Sequence, residues 1–301
     1  MNNKSLAPIC LFVYNRLEHT KKTIEYLKKN ELANESILFI FSDYPKTPKE
    51  SIEVSKVREY IRNISGFKRI VITERKRNYG LAKSVLKGVT KVINKFNKII
   101  VLEDDLIVSE YFLDYMNEAL VLYKNEKKVG SISGFLFPLK NESSSETFFL
   151  NDINSWGWGT WKDRWDLFES NGNKLFFKLK ERNMLKSFDN NYSYPYKKML
   201  VNQIKGKNNS WAIRWRASMF LNNKISLYPF KSLTKNIGFD ETGVNCNKNN
   251  LFDTKITNNK IKVEKLEIKL NNKMQKEVES FFHGIRLKRI IGKIKRLVRE
   301  K

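Results

Sequence analysis

The sequence predicts an α/β fold, with a mostly parallel central sheet flanked by helices. Three observations carry this expectation. Short, mainly apolar runs recur at Pro8–Tyr14, Ile37–Phe41, Arg69–Thr73 and Ile99–Leu102, the last wholly apolar and β-branched. The segments between them carry apolar residues at helical spacing. The connections are short, and no repeat or glycine-rich insertion interrupts them. Runs apolar throughout, rather than alternating, suit strands buried on both faces. Such strands alternating with helices make βαβ units.

Each element follows from its residues. PICLFVY is the first strand and ends at Asn15-Arg16. His19–Asn30 then sets Ile24 and Leu27 on one helical face. ILFIF, the second strand, ends in Ser42-Asp43-Tyr44-Pro45. Lys49–Ile64 carries Ile52, Val57, Tyr60, Ile61 and Ile64 in near-helical period. RIVIT is the third strand, and Gly80–Lys95 follows with Leu81, Val85, Leu86, Val89 and Val92 on one face. After the fourth strand, Tyr111–Tyr123 reads as an amphipathic helix, Val129–Ser133 as a strand and Lys140–Thr147 as a loop. Leu175–Asn191 reads as helix and loop. Trp211–Asn223 reads as a helix with Trp211, Trp215 and Phe220 inward and Arg214 and Arg216 elsewhere. Ile225–Pro229 is a short strand and Leu233–Asn245 a polar loop. The expected division is an α/β domain over 1–247, an irregular extension over 248–283 (an edge strand or a mobile segment) and a basic amphipathic helix over 284–301.

Composition narrows the class. At 301 residues, 41% apolar and 13% aromatic, the chain has ample core and is not disordered. No apolar run approaches the ~20 residues of a membrane span. The N-terminus lacks a signal pattern, and Cys10 and Cys246 form no metal or disulfide spacing, so a reducing cytoplasm is expected. Two histidines, His19 and His283, exclude a histidine-rich metal site and argue against a Ser-His-Asp hydrolase. The net charge of +25 suits nucleic acid, an anionic membrane surface or anionic substrates. There is no GxGxxG and no GxxxxGK[ST], which removes the usual support for dehydrogenase and P-loop readings.

Three stretches carry chemistry. Glu103, Asp104 and Asp105 follow the buried run IIVL directly. Adjacent anions at a strand end repel one another and need a cation or donors. Mg²⁺ and Mn²⁺ favour such oxygen ligands together with substrate phosphates, and open sheets bind ligands at their carboxyl ends. The alternative is an acidic first turn of the next helix. Ser155–Trp165, SWGWGTWKDRW, sets four tryptophans around Gly157 and Gly159. They read either as a second small core or as a sugar platform; Trp161 and Trp165 suit the core, Trp156 and Trp158 the site. In Gly284–Lys301, Ile285, Ile290, Ile291, Ile294, Leu297 and Val298 recur at helical spacing among Lys and Arg. That is the composition of an interfacial anchor on anionic lipid, or of an ordinary solvated helix.

Taken in order, NYGLAKSVLKGV, EDDL, SWGWGTWKDRW and WAIRWRASMFLNN…NIGFD resemble GT-A fold (Rossmann-like) nucleotide-sugar glycosyltransferases of the bacterial surface-polysaccharide type. Around EDDL the chain is similar to N-acetylglucosaminyltransferase I. The resemblance spans about Pro8 to Val244. It implies Asp105 as ligand of Mn²⁺ or Mg²⁺ bridging the donor diphosphate, and Glu103 and Asp104 near ribose and donor sugar. It places Tyr14, Asn15, Arg16 and Asp43 in the nucleotide pocket, with Asn78, Gly80 and Ser84 along the nucleotide. Trp156, Gly157 and Trp158 would face donor sugar and acceptor. Relatives often carry an Asp directly after the tryptophan equivalent to Trp211; here Ala212 stands there and cannot take a proton. Asp240, Glu241 and Asp152 are then the candidate bases of an inverting reaction, and a retaining reaction without such a base is the alternative. The implied activity is hexosyl or N-acetylhexosaminyl transfer from a UDP-sugar to a glycan or lipid-linked glycan, at the inner face of the membrane.

Two other classes compete. A sugar-phosphate nucleotidyltransferase usually shows a glycine- and basic-rich first loop, absent after Val13. A nucleic-acid-binding protein would interleave aromatics with its basic run, whereas these tryptophans sit beside glycines.

Overall fold

The computed structural model describes residues 5–140, 145–240 and 251–299, with side chains described as far as residue 287 in the last helix. Its first half alternates as expected. β1 (Ile9–Val13) leads through α1 (Leu17–Lys28) to β2 (Ile37–Ser42), and α2 (Ser51–Arg62) leads to β3 (Arg69–Glu74). Then α3 (Gly80–Phe96) returns the chain to β4 (Lys98–Glu103). β5 (Leu106–Val108), α4 (Phe112–Leu122), β6 (Val129–Ser133), β7 (Thr147–Leu150) and β8 (Trp158–Trp161) follow. Next come α5 (Lys162–Trp165), α6 (Gly172–Glu181), α7 (Leu185–Phe188), α8 (Tyr196–Ile204) and α9 (Trp211–Leu221). β9 (Ile225–Pro229), β10 (Thr234–Asn236) and α10 (Asn272–Arg299) complete the described elements.

The main sheet has the order β3-β2-β1-β4-β8-β6-β9-β7. β1 to β4, β6 and β9 run one way; β8 and β7 run against them. Alternation along each strand divides the core. Ile9, Leu11, Ile100 and Leu102 face α1, α2 and α4. Cys10, Phe12, Ile99 and Val101 face α3, α9 and a tryptophan cluster. The helices of β1-α1-β2-α2-β3 therefore lie on one face, and α3 crosses back on the other. Gly88 on α3 allows that return, because a Cβ there would meet the Phe12 ring at 2.7 Å.

Besides the strand β10 inside the expected polar loop Leu233–Asn245, three larger features depart from the sequence expectation. Part of the tryptophan stretch is a strand, β8, inserted antiparallel between β4 and β6. Its glycine explains the mixed reading, since a Cβ on Gly159 would sit 3.1 Å from the Ile99 carbonyl. Arg214 and Arg216 do not point away to solvent. α9 is buried nearly all round, between the tryptophan cluster and α6–α8, so its charges must find partners inside.

The third departure is the C-terminal part. The described residues 251–271 contain no strand, yet they are tied down. Ser109 Oγ donates to the Thr257 carbonyl at 2.7 Å, Tyr123 Oη to that of Glu264 at 2.7 Å, and Asn271 N–H to that of Phe149 at 2.9 Å. The last helix starts at Asn272 rather than at 284, with Asn271 capping it through Met274 N–H at 3.1 Å. Met274, Val278, Phe282 and Ile285 form a buried helical stripe against Phe135, Phe137, Phe148 and Tyr228. The first half of α10 is thus part of the core. Phe282→Ala is expected to cost about 3–5 kcal/mol, measured by urea unfolding; an unchanged midpoint would show that this helix is not docked.

Candidate functional site

The strand order reverses between β1 and β4, since β1 continues outward to β2 while α3 delivers β4 to its other side. In open α/β sheets the crevice at the carboxyl ends of such a pair is where ligands bind. Tyr14-Asn15-Arg16 closes β1 there, and Glu103-Asp104-Asp105 closes β4.

The three acids do not share one environment. Asp104 and Asp105 are 5% and 8% exposed and are joined by Arg16. Its Nη2 pairs with Asp104 Oδ1 and lies 3.0 Å from Asp105 Oδ2. Burial disfavours the guanidinium charge, but the two aspartates outweigh it and hold Arg16 more firmly protonated than usual. Burial likewise pushes Asp104 up, and Arg16 opposes it. Arg16 Nη1 is buried and finds no hydrogen-bond partner among the described residues. Glu103 is hydrogen-bonded by Trp211 instead. Desolvation and then the charges of Asp105 and Asp104 push its carboxyl up to about 8, against Arg16 and that hydrogen bond.

A second layer closes over these acids. β10 pairs antiparallel with β5, setting Asn236 opposite Leu106. The chain leaving β10 therefore returns onto the acidic turn. Ile237 N–H donates to the Asp105 carbonyl at 2.8 Å, and a Cβ on Gly238 would lie 2.4 Å from Asp105 Oδ2 and 3.0 Å from Arg16 Nη1. Only glycine allows this approach. Two residues on, Asp240 Oδ2 meets His19 Nε2 at 3.1 Å. Between them Phe239 packs edge-on against Trp156, at 5.5 Å between ring centroids. Gly157 sits under Leu102, where a Cβ would approach Leu102 to 3.4 Å.

The remaining expected pocket residues line the neighbouring strand ends. Asp43 accepts the N–H groups of Tyr44 (2.9 Å), Tyr79 (2.9 Å) and Gly80 (2.8 Å), and so fixes the start of α3. Asn78 Nδ2 donates to the Tyr44 carbonyl at 2.5 Å, and Tyr14 Oη accepts Lys46 N–H at 2.8 Å. Asn15 is half-buried in the turn after β1. Ser84 Oγ is buried with no hydrogen-bond partner among the described residues. The side chains of Arg75, Arg77, Lys83 and Lys87 crowd the Tyr79 ring, at 4.6–5.6 Å from its centroid. A hydrogen bond from Arg77, then the charge of Lys87, holds the Tyr79 phenol below its ordinary range.

Two expected site residues lie elsewhere. Trp158 is 0% exposed, stacked among Trp165, Trp211 and Trp215 at 5.5–5.9 Å. Strand alternation explains this: β8 turns the Trp158 indole into the α3–α9 core, while Trp156 stays before the strand. Asp152, expected as a base, is a buried ion-pair partner. Arg216 Nη1 lies 2.9 Å from its Oδ2, which Tyr196 Oη (3.0 Å) and Asn190 Nδ2 (3.2 Å) also meet. This is the partner that the buried α9 requires. Glu241 lies outside the described residues. Sequence reasoning missed His19 and Gly238, because their roles exist only once β5 and β10 pair.

Among the described residues no three His, Cys, Asp or Glu side chains converge on one point. The chain therefore offers an oxygen donor set of one carboxylate, Asp105, beside an unpartnered guanidinium nitrogen. That set fits a divalent cation whose other ligands are donor phosphates and water, as is usual for Mg²⁺.

No family model matches the chain, and no curated protein matches it. Solved structures do. A mannosyltransferase from Pyrobaculum calidifontis, in complex with GDP-Man and Mn²⁺, aligns at 8% identity over 53% of this chain and 46% of its own (TM-score 0.32). This chain thus spans about half of that protein's length. A UDP-glucose pyrophosphorylase complexed with UDP-glucose aligns at 11% identity over 77% of this chain and 94% of its own (TM-score 0.41). Residues 1–349 of S. aureus TarS align at 10% identity over 75% and 59% (TM-score 0.40). At these values the likeness is one of general α/β architecture.

Removing the Asp152 carboxylate leaves Arg216 buried and unpaired. Asp152→Ala is expected to lose about 3–5 kcal/mol of stability by chemical denaturation. A stable but inactive Asp152→Ala protein would instead return this residue to the catalytic list.

Proposed function

We propose that the protein is a glycosyltransferase that moves a hexosyl or N-acetylhexosaminyl group from a UDP-sugar, or a related nucleotide sugar, to a hydroxyl of a bacterial surface glycan or its lipid-linked precursor. One observation carries the reading. Arg16, Asp104 and Asp105 form a charged, desolvated group at the β1/β4 reversal, under the Gly238 loop that also brings Trp156 and Asp240 near. Such a group suits a leaving diphosphate beside a sugar.

The roles follow from position. Tyr14, Asn15, Asp43, Asn78, Gly80 and Ser84 edge the nucleotide, with Asp43 holding the α3 start in place. Arg16 has a donor nitrogen left for a phosphate oxygen as charge builds on the leaving group. A Mn²⁺ or Mg²⁺ ion held by Asp105 and the donor phosphates would supply further neutralisation of that charge. Glu103 and Asp104 border the sugar, with half-buried Trp156, packed by Phe135, Phe239 and Phe252, beside it. Asp240 is the base for the acceptor hydroxyl, standing in for the carboxylate missing at Ala212. The basic residues beyond 287 would hold the enzyme on an anionic membrane surface facing the cytoplasm. No described helix is long and apolar enough to cross a membrane.

A thermal-shift and hydrolysis screen of nucleotide sugars, with and without Mn²⁺, tests this reading. One or more donors should stabilise the protein only with metal, and Asp105→Asn should abolish metal-dependent turnover while melting within a few degrees of wild type. Full turnover by Asp105→Asn would refute the site. Consumption of sugar phosphate and nucleoside triphosphate, with pyrophosphate released, would favour a nucleotidyltransferase. Truncation after residue 287 keeps the docked half of α10 and should weaken co-sedimentation with anionic vesicles severalfold, at ~1 kcal/mol per basic residue near the surface; unchanged co-sedimentation would remove the membrane role.

A further inference from the structure

The pairing of His19 with Asp240 joins the first turn of α1 to the loop that leaves β10. His19 sits in the first turn of α1, three residues after Arg16, and its side chain is only 15% exposed. Asp240 ends the loop that β10 lowers onto Asp105 and remains 44% exposed. The carboxylate is thus anchored on one oxygen and accessible to a ligand arriving at the rim. The same loop is fixed at its start by Ile237 N–H on the Asp105 carbonyl, and by Gly238 N–H on Asn236 Oδ1 at 2.7 Å. At its far end Asp240 meets His19.

We infer that His19 is the positioning residue for Asp240, and that the two form a His–Asp pair which activates the acceptor. The inference rests on the glycosyltransferase reading above. Nε2–H of His19 donates to Asp240 Oδ2, which orients the carboxylate and leaves the Asp240 group basic toward an incoming hydroxyl. The acceptor oxygen forms a bond to the anomeric carbon as the bond from that carbon to the diphosphate oxygen breaks. The hydroxyl proton passes to the Asp240 carboxylate, and the leaving electron pair stays on the diphosphate beside Arg16. His19 touches neither donor nor acceptor. Its place three residues after Arg16 in the chain links the geometry of the base to that of the leaving-group site, so acceptor and donor are aligned by one turn of backbone.

The test measures nucleoside diphosphate released from the nucleotide sugar that wild type turns over, with water as acceptor. His19→Phe should lower kcat about 10- to 100-fold, the worth of a hydrogen bond to a charged group, and leave KM for the nucleotide sugar within about twofold. His19→Gln, whose amide N–H reaches a similar point, should restore most of kcat. Asp240→Asn should lose about 10²- to 10⁴-fold, and His19→Phe combined with Asp240→Asn should be no slower than Asp240→Asn alone. An unchanged kcat in His19→Phe, or losses that multiply in the double variant, would overturn the inference and leave the transferase reading standing. Wild type that turns over no nucleotide sugar would overturn both. His19→Gln and Asp240→Asn roughly keep the side-chain size, so the comparison survives if His19→Phe folds poorly.

Discussion

The site depends on one guanidinium. Two buried aspartates side by side at a strand end would repel each other and lose their hydration, and Arg16 offsets both costs with a single nitrogen. The arrangement is possible because β1 and β4 are hydrogen-bonded neighbours, so residues just past their ends are forced together. The arginine also retains a buried nitrogen with no protein partner among the described residues. Unsatisfied buried donors are costly, and a ligand oxygen is the natural relief. One guanidinium against two carboxylates leaves the group short of positive charge, and the guanidinium itself short of an acceptor.

The rest of the fold serves this rim. α1 and α3 leave it on opposite faces of the sheet, and Asp43 fastens the start of α3 with three backbone N–H groups. The small β5–β10 ladder folds the Gly238 loop back over Asp105, and that loop carries Phe239 to Trp156 and Asp240 to His19. Behind the rim, four stacked tryptophans and the Arg216–Asp152 pair fill the space around α9. One of them, Trp211, reaches Glu103.

Much of this was legible in the chain. The apolar runs and the helical spacing place β1 to β4 and α1 to α4 within a residue or two, because buried strands between helical periods leave a clear signature, which the half-buried edge strand β3 shares. That the three acids close β4 was legible for the same reason, since they follow the apolar run directly. What was not legible depends on long-range pairing. SWGWGTW gives no period that separates a strand from a turn, and only its neighbours β4 and β6 decide that Trp158 faces the core. WAIRWRASMF looks amphipathic only if its arginines are solvated, and nothing local reveals that Asp152 awaits Arg216. His19 looked incidental because its partner arrives with the β10 return.

The most direct measurement is a crystal grown with Mn²⁺ and a nucleoside diphosphate, examined by anomalous scattering at the manganese edge. The account predicts a manganese peak against the Asp105 carboxylate, bridged to the diphosphate, with Arg16 Nη1 on a phosphate oxygen. A nucleotide bound away from the β1/β4 ends, or one at that rim with Arg16 and Asp105 untouched, would contradict it.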